Sequence, residues 1–395
     1  MVPMLMALFQ EVSLVSPLAN AFAIPIVSLA VVPLTIAGAF LPLPFLLDAA
    51  HAIMAVVMVP LEWLASLPLA MLESHAPIPW TVAAGAFGAL WLLAPRGVPM
   101  RSSGFVWMAP MFVVLPPAPG AGEAWLDVLD VGHGLAVVVR TQGHALAYDA
   151  GPSWSAESDS GTRIVVPFLR GEGVGHLDGL VISHADDDHY GGAASIARSR
   201  RPEWLLSPLA DDDPLHASVQ RSIRCEAGQR WRWDGVDFAV LHPDAAIYGE
   251  EPGRKARKEN DRGCVVRVST SQASALLAGD VEARAEAEML SRGAPSLHSD
   301  VLVVPHHGSK TSSTAEFLDA VAPQWGLISL GYRNRFRHPH ESVVQRYLDR
   351  GIRLRRTDAE GALHVELPAE SKRPITVEGF ACQARYWSER LCESS

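Results

Sequence analysis

Residues 184 to 189 read HADDDH, setting two histidines and three aspartates in six positions directly after the apolar run GLVIS (179–183). Ionisable side chains this crowded repel one another unless water or a cation compensates them. Histidine nitrogen and carboxylate oxygen are the donors that zinc, manganese and iron accept. Ligands two and four residues apart on one tight loop can face two neighbouring ions, with the intervening Asp187 pointing away. A second acidic triplet, DDDPLH at 211–216, acts as an internal control. There Asp213 before Pro214 reads as a helix N-cap followed by proline at the first helical position, which needs no metal. HADDDH differs in following a strand pattern, in carrying histidine at both ends, and in running into YGGAAS, whose small residues let a helix start close against a sheet.

Other candidate ligands also stand at the ends of apolar runs. Asp280 closes SALLAGD (274–280), His306 and His307 close VLVVPHHG (301–308), and His338 follows WGLISLG (325–331) through YRNRFR. In layered α/β folds the loops leaving strand ends gather at one edge, where sites are built. The elements that must position them begin near Ala124. LAVVVR and ALAYDA flank TQGH as a hairpin with Gly143 in its turn. Helical patterns at 281–292 and 340–350 alternate with the strand runs, so two sheets with helices outside them account for the order.

The first quarter is of another kind. Between Met1 and Pro95 there is no lysine or arginine, and the only acids are Glu11, Asp48, Glu62 and Glu73. Apolar stretches run from Val12 to Leu43, Phe45 to Leu72 and Trp80 to Ala94, with a weaker one from Phe105 to Leu115. About 20 apolar residues cross a bilayer, so the region reads as membrane-embedded, with Pro17, Pro25 and Pro33 tolerated as kinks. A signal peptide would need a basic n-region and a single short apolar core, and neither is present. A very apolar soluble helical domain is the rival reading. Arg96 and Arg101 place the loop between them in the cytoplasm by the positive-inside tendency, and a crossing at 105–115 would put the rest of the chain outside it. The expected organisation is a helical membrane region over 1–116, a linker over 117–124 and a hydrolase domain over 125–395. The net charge of −10 confines any polyanion path to local patches such as GRKARK (253–258), YRNRFRH (332–338) and RLRR (353–356). YRNRFRH adjoins His338 and interleaves aromatics with arginine. Cys225 and Cys264 read either as a disulfide in an oxidising compartment or as unpaired core thiols.

SHADDDHYGG resembles the H-x-[H/D]-x-D-H signature of the metallo-β-lactamase superfamily, and LLAGD, VPHHGSKTSS and NRFRHPH follow in a compatible order. LDVLDVGHGLAVVVR, YDAGP, VPHHGS and HPH are similar to the periplasmic domain of the ComEC family of DNA-uptake channels. VSLVSPLANAFAIPIVSLAVVPL similarly resembles the end of that family's membrane-embedded competence domain. The resemblance implies an α-helical membrane segment followed by an α/β metallo-β-lactamase-like domain, an αββα sandwich. It also implies two divalent ions, manganese or zinc. His184 and Asp186 would hold one, Asp188 and His189 the other, Asp280 would bridge them, and His338 would complete the set. Either His306 or His307 would ligate or act as general acid, with His307 slightly favoured, so the catalytic candidates are Asp188, His306 and His307. Ser309 and Lys310 could approach a phosphate. His133, where the family often has glutamine, would line the site, and Asp130 and Asp149 would support the ligands. His242, His298 and His340 read as ordinary polar residues. Two features depart from the superfamily pattern: Asp186 stands where histidine is usual, which favours manganese, and no histidine precedes Asp280 in the usual place.

Paired divalent ions about 3.5 to 4 Å apart suit in-line displacement at phosphorus. The implied function is DNA uptake in natural transformation, through a multi-pass inner-membrane channel component whose periplasmic domain degrades the non-transported strand. Single- and double-stranded DNA, the lipid bilayer, other DNA-uptake proteins and channel segments outside this chain are the implied partners. The alternatives are hydrolysis of a small ester, lactam or phosphodiester, and a catalytically silent DNA-docking module.

Overall fold

The uncharged, largely apolar stretch that begins near Ser16 folds as one continuous helix to Phe40, and a second runs from Phe45 to Ala65. Both are long and apolar enough to cross a membrane. Leu18, Ile24 and Ile26 on the first, and Val56, Met58 and Val59 on the second, stand exposed around the helix, the pattern of a helix that meets lipid on most sides. A π-helical turn at Val27–Val31 separates the segments carrying Pro25 and Pro33, where missing amide donors disturb the regular ladder. Pro79–Leu92 is helical but only 14 residues long, short of a full crossing. The crossing expected at 105–115 is not one helix. It breaks into Gly104–Met108 and Pro110–Val113, because Pro110 lacks the amide that would carry the first helix onward.

The computed structural model describes residues 1–95, 97–248 and 258–382. Arg96 and all of GRKARK except Lys258 therefore lie outside the described residues. The chain divides into two units, Met1–Pro116 with Arg170–Gly173, and Pro117–Leu169 with Val174–Ser395.

The second unit contains two large sheets. The strands of these two sheets are β1 (Ala124–Val128), β2 (Val137–Arg140), β3 (Ala145–Tyr148), β4 (Gly179–Val181), β5 (Trp204–Ser207), β6 (Arg221–Arg224), β7 (Arg230–Trp233), β8 (Val236–His242), β9 (Val265–Ser269), β10 (Ser274–Leu277), β11 (Val301–Val303), β12 (Trp325–Ile328), β13 (Arg353–Arg356), β14 (Leu363–Leu367) and β15 (Thr376–Gly379). One sheet has the order β6-β5-β4-β3-β2-β1-β14-β15 and the other β7-β8-β9-β10-β11-β12-β13. Period-two alternation explains how they layer. Leu146 and Tyr148 of β3 turn inward to meet Val266, Leu277 and Val303 of the facing sheet, whereas Ala145 and Ala147 turn outward. The outward face of the first sheet is covered by helix Ala193–Arg200 through Ile196 and Ala197. That of the second is covered by Ala283–Gly293, Ala315–Val321 and Glu341–Leu348, through Met289, Phe317 and Tyr347. The result is an αββα sandwich.

Cys225, just after β6, and Cys264, just before β9, are buried and joined by a disulfide, with their Cα atoms 6.0 Å apart. Sequence alone had left their state open. The bond ties the edge of one sheet to the interior of the other.

Candidate metal centre

The strands that feed the site run parallel within their sheets: β3 beside β4, and β10, β11 and β12 side by side. Parallel strands put their C-terminal ends on one edge. Asp149 follows β3, His184 and the HADDDH loop follow β4, Asp280 follows β10, His306 and His307 follow β11, and His338 follows β12. The loop reaches the edge because Gly192 permits close contact. A Cβ there would lie 2.4 Å from both the Ala150 carbonyl oxygen and the Gly161 amide nitrogen.

Four side chains converge. One ligand atom each from Asp188, His189, Asp280 and His307 lies within 4.8 Å of all the others. His189 Nε2 is 3.1 Å from Asp280 Oδ1, and His307 Nε2 is 3.5 Å from Asp188 Oδ2 and 3.6 Å from Asp280 Oδ1. His184 and Asp186 stand beside this group, outside it, with Nε2 to Oδ2 at 3.4 Å and Asp186 half exposed. His306 approaches from the solvent side, Nε2 3.7 Å from Asp280 Oδ2 and Nδ1 3.6 Å from Glu282 Oε1. His338 is further out, its ring 6.0 Å from that of His306.

The far nitrogens of the imidazoles explain why these atoms face one another. His189 Nδ1 is 2.7 Å from Asp149 Oδ2, and His307 Nδ1 is 2.7 Å from the Ser329 carbonyl oxygen. A proton donated on Nδ1 leaves Nε2 as a lone pair aimed inward. His184 Nε2, His189 Nε2, His307 Nε2 and Asp280 Oδ1 are all buried with no hydrogen-bond partner among the described residues. Lone pairs crowded against a carboxylate are stable only around positive charge, so the donor set fits a divalent cation.

Proton affinities express the same demand. Burial opposes charge on His189, but Asp280 and Asp149 hold its imidazole well above the ordinary histidine range. Burial would raise Asp280, yet His189 and His307 keep it well below the usual carboxylate range. Asp188, raised by burial, is brought down to about 2 by its contact with His307 and by His189. Burial, assisted by His307, lowers His133 to about 4. His306 and His307 both adopt left-handed backbone, φ 49° and 52°, a strained conformation for non-glycine residues that clusters at functional sites.

One supporting assignment changes. Asp130 was expected behind the ligands, but it is exposed and accepts from the Gly132 amide at 3.3 Å. Asp149 accepts from the Ser183 amide and hydroxyl at 2.6 and 2.7 Å as well as contacting His189. Ser183, not anticipated, also lies 2.9 Å from His184 Nδ1. Asp187 turns outward to Ser153. Ser309 Oγ pairs with Thr311 at 3.0 Å, and Lys310 is exposed. His133 lies between the His307 ring at 4.7 Å and the Phe336 ring at 4.7 Å.

Residues 129–331 match the family described as the metallo-beta-lactamase superfamily, and residues 1–99 match the family described as competence protein. Competence protein ComA of Neisseria gonorrhoeae is 36% identical over 386 residues, covering 98% of this chain and 52% of that protein. Protein YcaI of Escherichia coli K12 is 32% identical over 388 residues, covering 94% of this chain and 48% of that protein. ComE operon protein 3 of Bacillus subtilis is 30% identical over 265 residues, covering 62% of this chain and 33% of that protein. The chain thus spans at most about half the length of these relatives.

Proposed function

The chain belongs to the metallo-β-lactamase superfamily and, through the competence-protein segment ahead of that domain, to the ComEC family; from that premise we propose that it serves DNA uptake in natural transformation. In this reading it is a multi-pass component of an inner-membrane channel, and its αββα domain is a metal-dependent nuclease acting on the strand that is not transported. The observation that carries the reading is the group of Asp188, His189, Asp280 and His307, in which the buried His189 Nε2, His307 Nε2 and Asp280 Oδ1 have no hydrogen-bond partner among the described residues, in a domain that also carries the arginine-rich loop 332–338.

Asp188, His189, Asp280 and His307 would hold one divalent ion, manganese or zinc, and His184 and Asp186 would contribute to holding a second, with Asp280 available to both. When bound, such ions supply Lewis-acid activation of water and neutralise charge developing on phosphate. Asp149 and the Ser329 carbonyl fix the tautomers and aim of His189 and His307. His306, partly exposed and within 3.7 Å of Asp280, is placed to protonate a leaving oxygen, and His338 closes the outer side. Arg333, Arg335 and Arg337 meet the DNA backbone. No acidic side chain pairs with them among the described residues, so their charge is free for phosphate. The Cys225–Cys264 disulfide supports a periplasmic domain, since such bonds persist in oxidising compartments.

The test is the full chain in lipid nanodiscs with manganese or zinc and end-labelled single- and double-stranded DNA, beside an Asp188→Ala, His189→Ala double variant. Cutting that requires metal and disappears in the variant supports the nuclease. Metal bound without cutting would move the reading to a small ester, lactam or phosphodiester hydrolase, or to a silent docking module.

A further inference from the structure

The loop between β12 and His338 carries an arrangement that metal binding does not require. The rings of Phe336, His133 and His338 lie nearly parallel: Phe336 to His133 at 4.7 Å and 26°, His133 to His338 at 6.0 Å and 27°, Phe336 to His338 at 5.9 Å and 11°. His133 lies in turn 4.7 Å from the ring of His307, one of the four converging side chains. Three tiled rings thus lead from solvent to the centre, and the outermost, Phe336, is 49% exposed. The loop is pinned. Asn334 Nδ2 donates to the His338 carbonyl at 2.7 Å, and Asn334 Oδ1 accepts from the His338 amide at 2.9 Å. The Arg335 guanidinium lies 4.8 Å from the Phe336 ring, and Arg333 lies 5.1 Å from the ring of Tyr332, itself 73% exposed.

A large apolar ring held half in water costs free energy and contributes little to a core. Its neighbours show what would cover it. Half of Phe336 meets water and Arg335 lies over its ring, so a flat π face that takes the place of the guanidinium extends the existing stack while the displaced arginine meets phosphate. A nucleobase joined to a phosphodiester has both features. Bases inside a duplex are already stacked on both faces and cannot lie on the ring without unstacking. We infer that Phe336, backed by His133, is a specificity-determining platform on which an unpaired base stacks, setting the adjacent phosphodiester against the metal centre. The inference rests on the DNA-cleaving reading for its substrate class and adds the preference for single-stranded over paired DNA.

Binding is measured without catalysis, on the full chain in nanodiscs with metal removed by a chelator. The probe is an oligodeoxythymidylate carrying one 2-aminopurine, compared with a duplex of equal length. A base–aromatic stack is worth about 1–3 kcal/mol, so Phe336→Ala weakens single-strand binding roughly five- to 150-fold and removes 2-aminopurine quenching, while duplex binding changes less than about twofold. Phe336→Trp restores the single-strand affinity. Phe336→Leu, which keeps apolar bulk without a π face, does not. Equal binding by the alanine variant, or full rescue by leucine, overturns the platform. Phe336-dependent single-strand binding without metal-dependent cutting would sink the nuclease reading and leave the platform standing. Cutting that needs the centre but is indifferent to Phe336 would do the reverse.

Discussion

Asp149 Oδ2 stands 2.7 Å from Nδ1 of His189, and both side chains are fully buried. The carboxylate is itself fixed, accepting from the amide and hydroxyl of Ser183, and Asp149 holds a left-handed backbone at φ 59°. Strain of that kind persists only where the surroundings over-determine it.

Asp149→Asn keeps the volume but removes the charge that keeps the His189 proton on Nδ1. Partners of metal-ligating histidines typically contribute 10- to 100-fold in metal affinity. The expected outcome is a loss of about that size for manganese and zinc, measured by calorimetric titration of the full chain, with the fold retained. Wild-type affinity in the variant would show that Asp149 is a folding residue alone.

The Cys225–Cys264 bond closes a separation of 39 residues. Loop-closure entropy puts its contribution at roughly 4 kcal/mol. The Cys225→Ser, Cys264→Ser double variant should unfold at lower denaturant by about that amount, and reducing agent should shift the wild type but not the variant. Coincident unfolding curves for all three would mean that the sheets are held by packing alone.

Legibility in the sequence followed the physics of each signal. Asp280, His306 and His307 stand out because polar residues at the ends of apolar runs are costly unless used, and the parallel order of β10, β11 and β12 turns that regularity into proximity. The chain order of Asp188, His189, Asp280 and His307 says nothing of distance, and only the fold brings them within 4.8 Å while leaving Asp186 half exposed. Asp130 misled because D-V-G is also a turn, and its carboxylate serves the Gly132 amide. The Ser329 carbonyl that orients His307 had no signature, since every residue carries one. Pairing of Cys225 with Cys264 needed the crossing of two sheets, which spacing does not encode.

The last prediction concerns pH and lies away from the metal centre. His364 on β14 faces Asp127 on β1 across the sheet, with Nδ1 2.6 Å from Oδ1, and Arg140 lies on the same carboxylate at 3.2 Å. Burial opposes protonation of His364, but the contact with Asp127 outweighs it and raises the imidazole above its ordinary value, with Arg140 opposing and Glu366 assisting. A raised folded-state pKa stabilises the fold fully below the unfolded value of about 6.5 and loses that contribution as pH climbs through the folded value. His364→Gln should therefore cost about 1 kcal/mol or less near pH 5.5, and the difference from wild type should shrink towards pH 9. Unfolding curves for both proteins across that range check it. A variant deficit that is constant with pH, or that grows in alkali, would mean that the pair contributes through packing against Trp125, whose ring meets His364 edge-on at 5.2 Å, and not through charge.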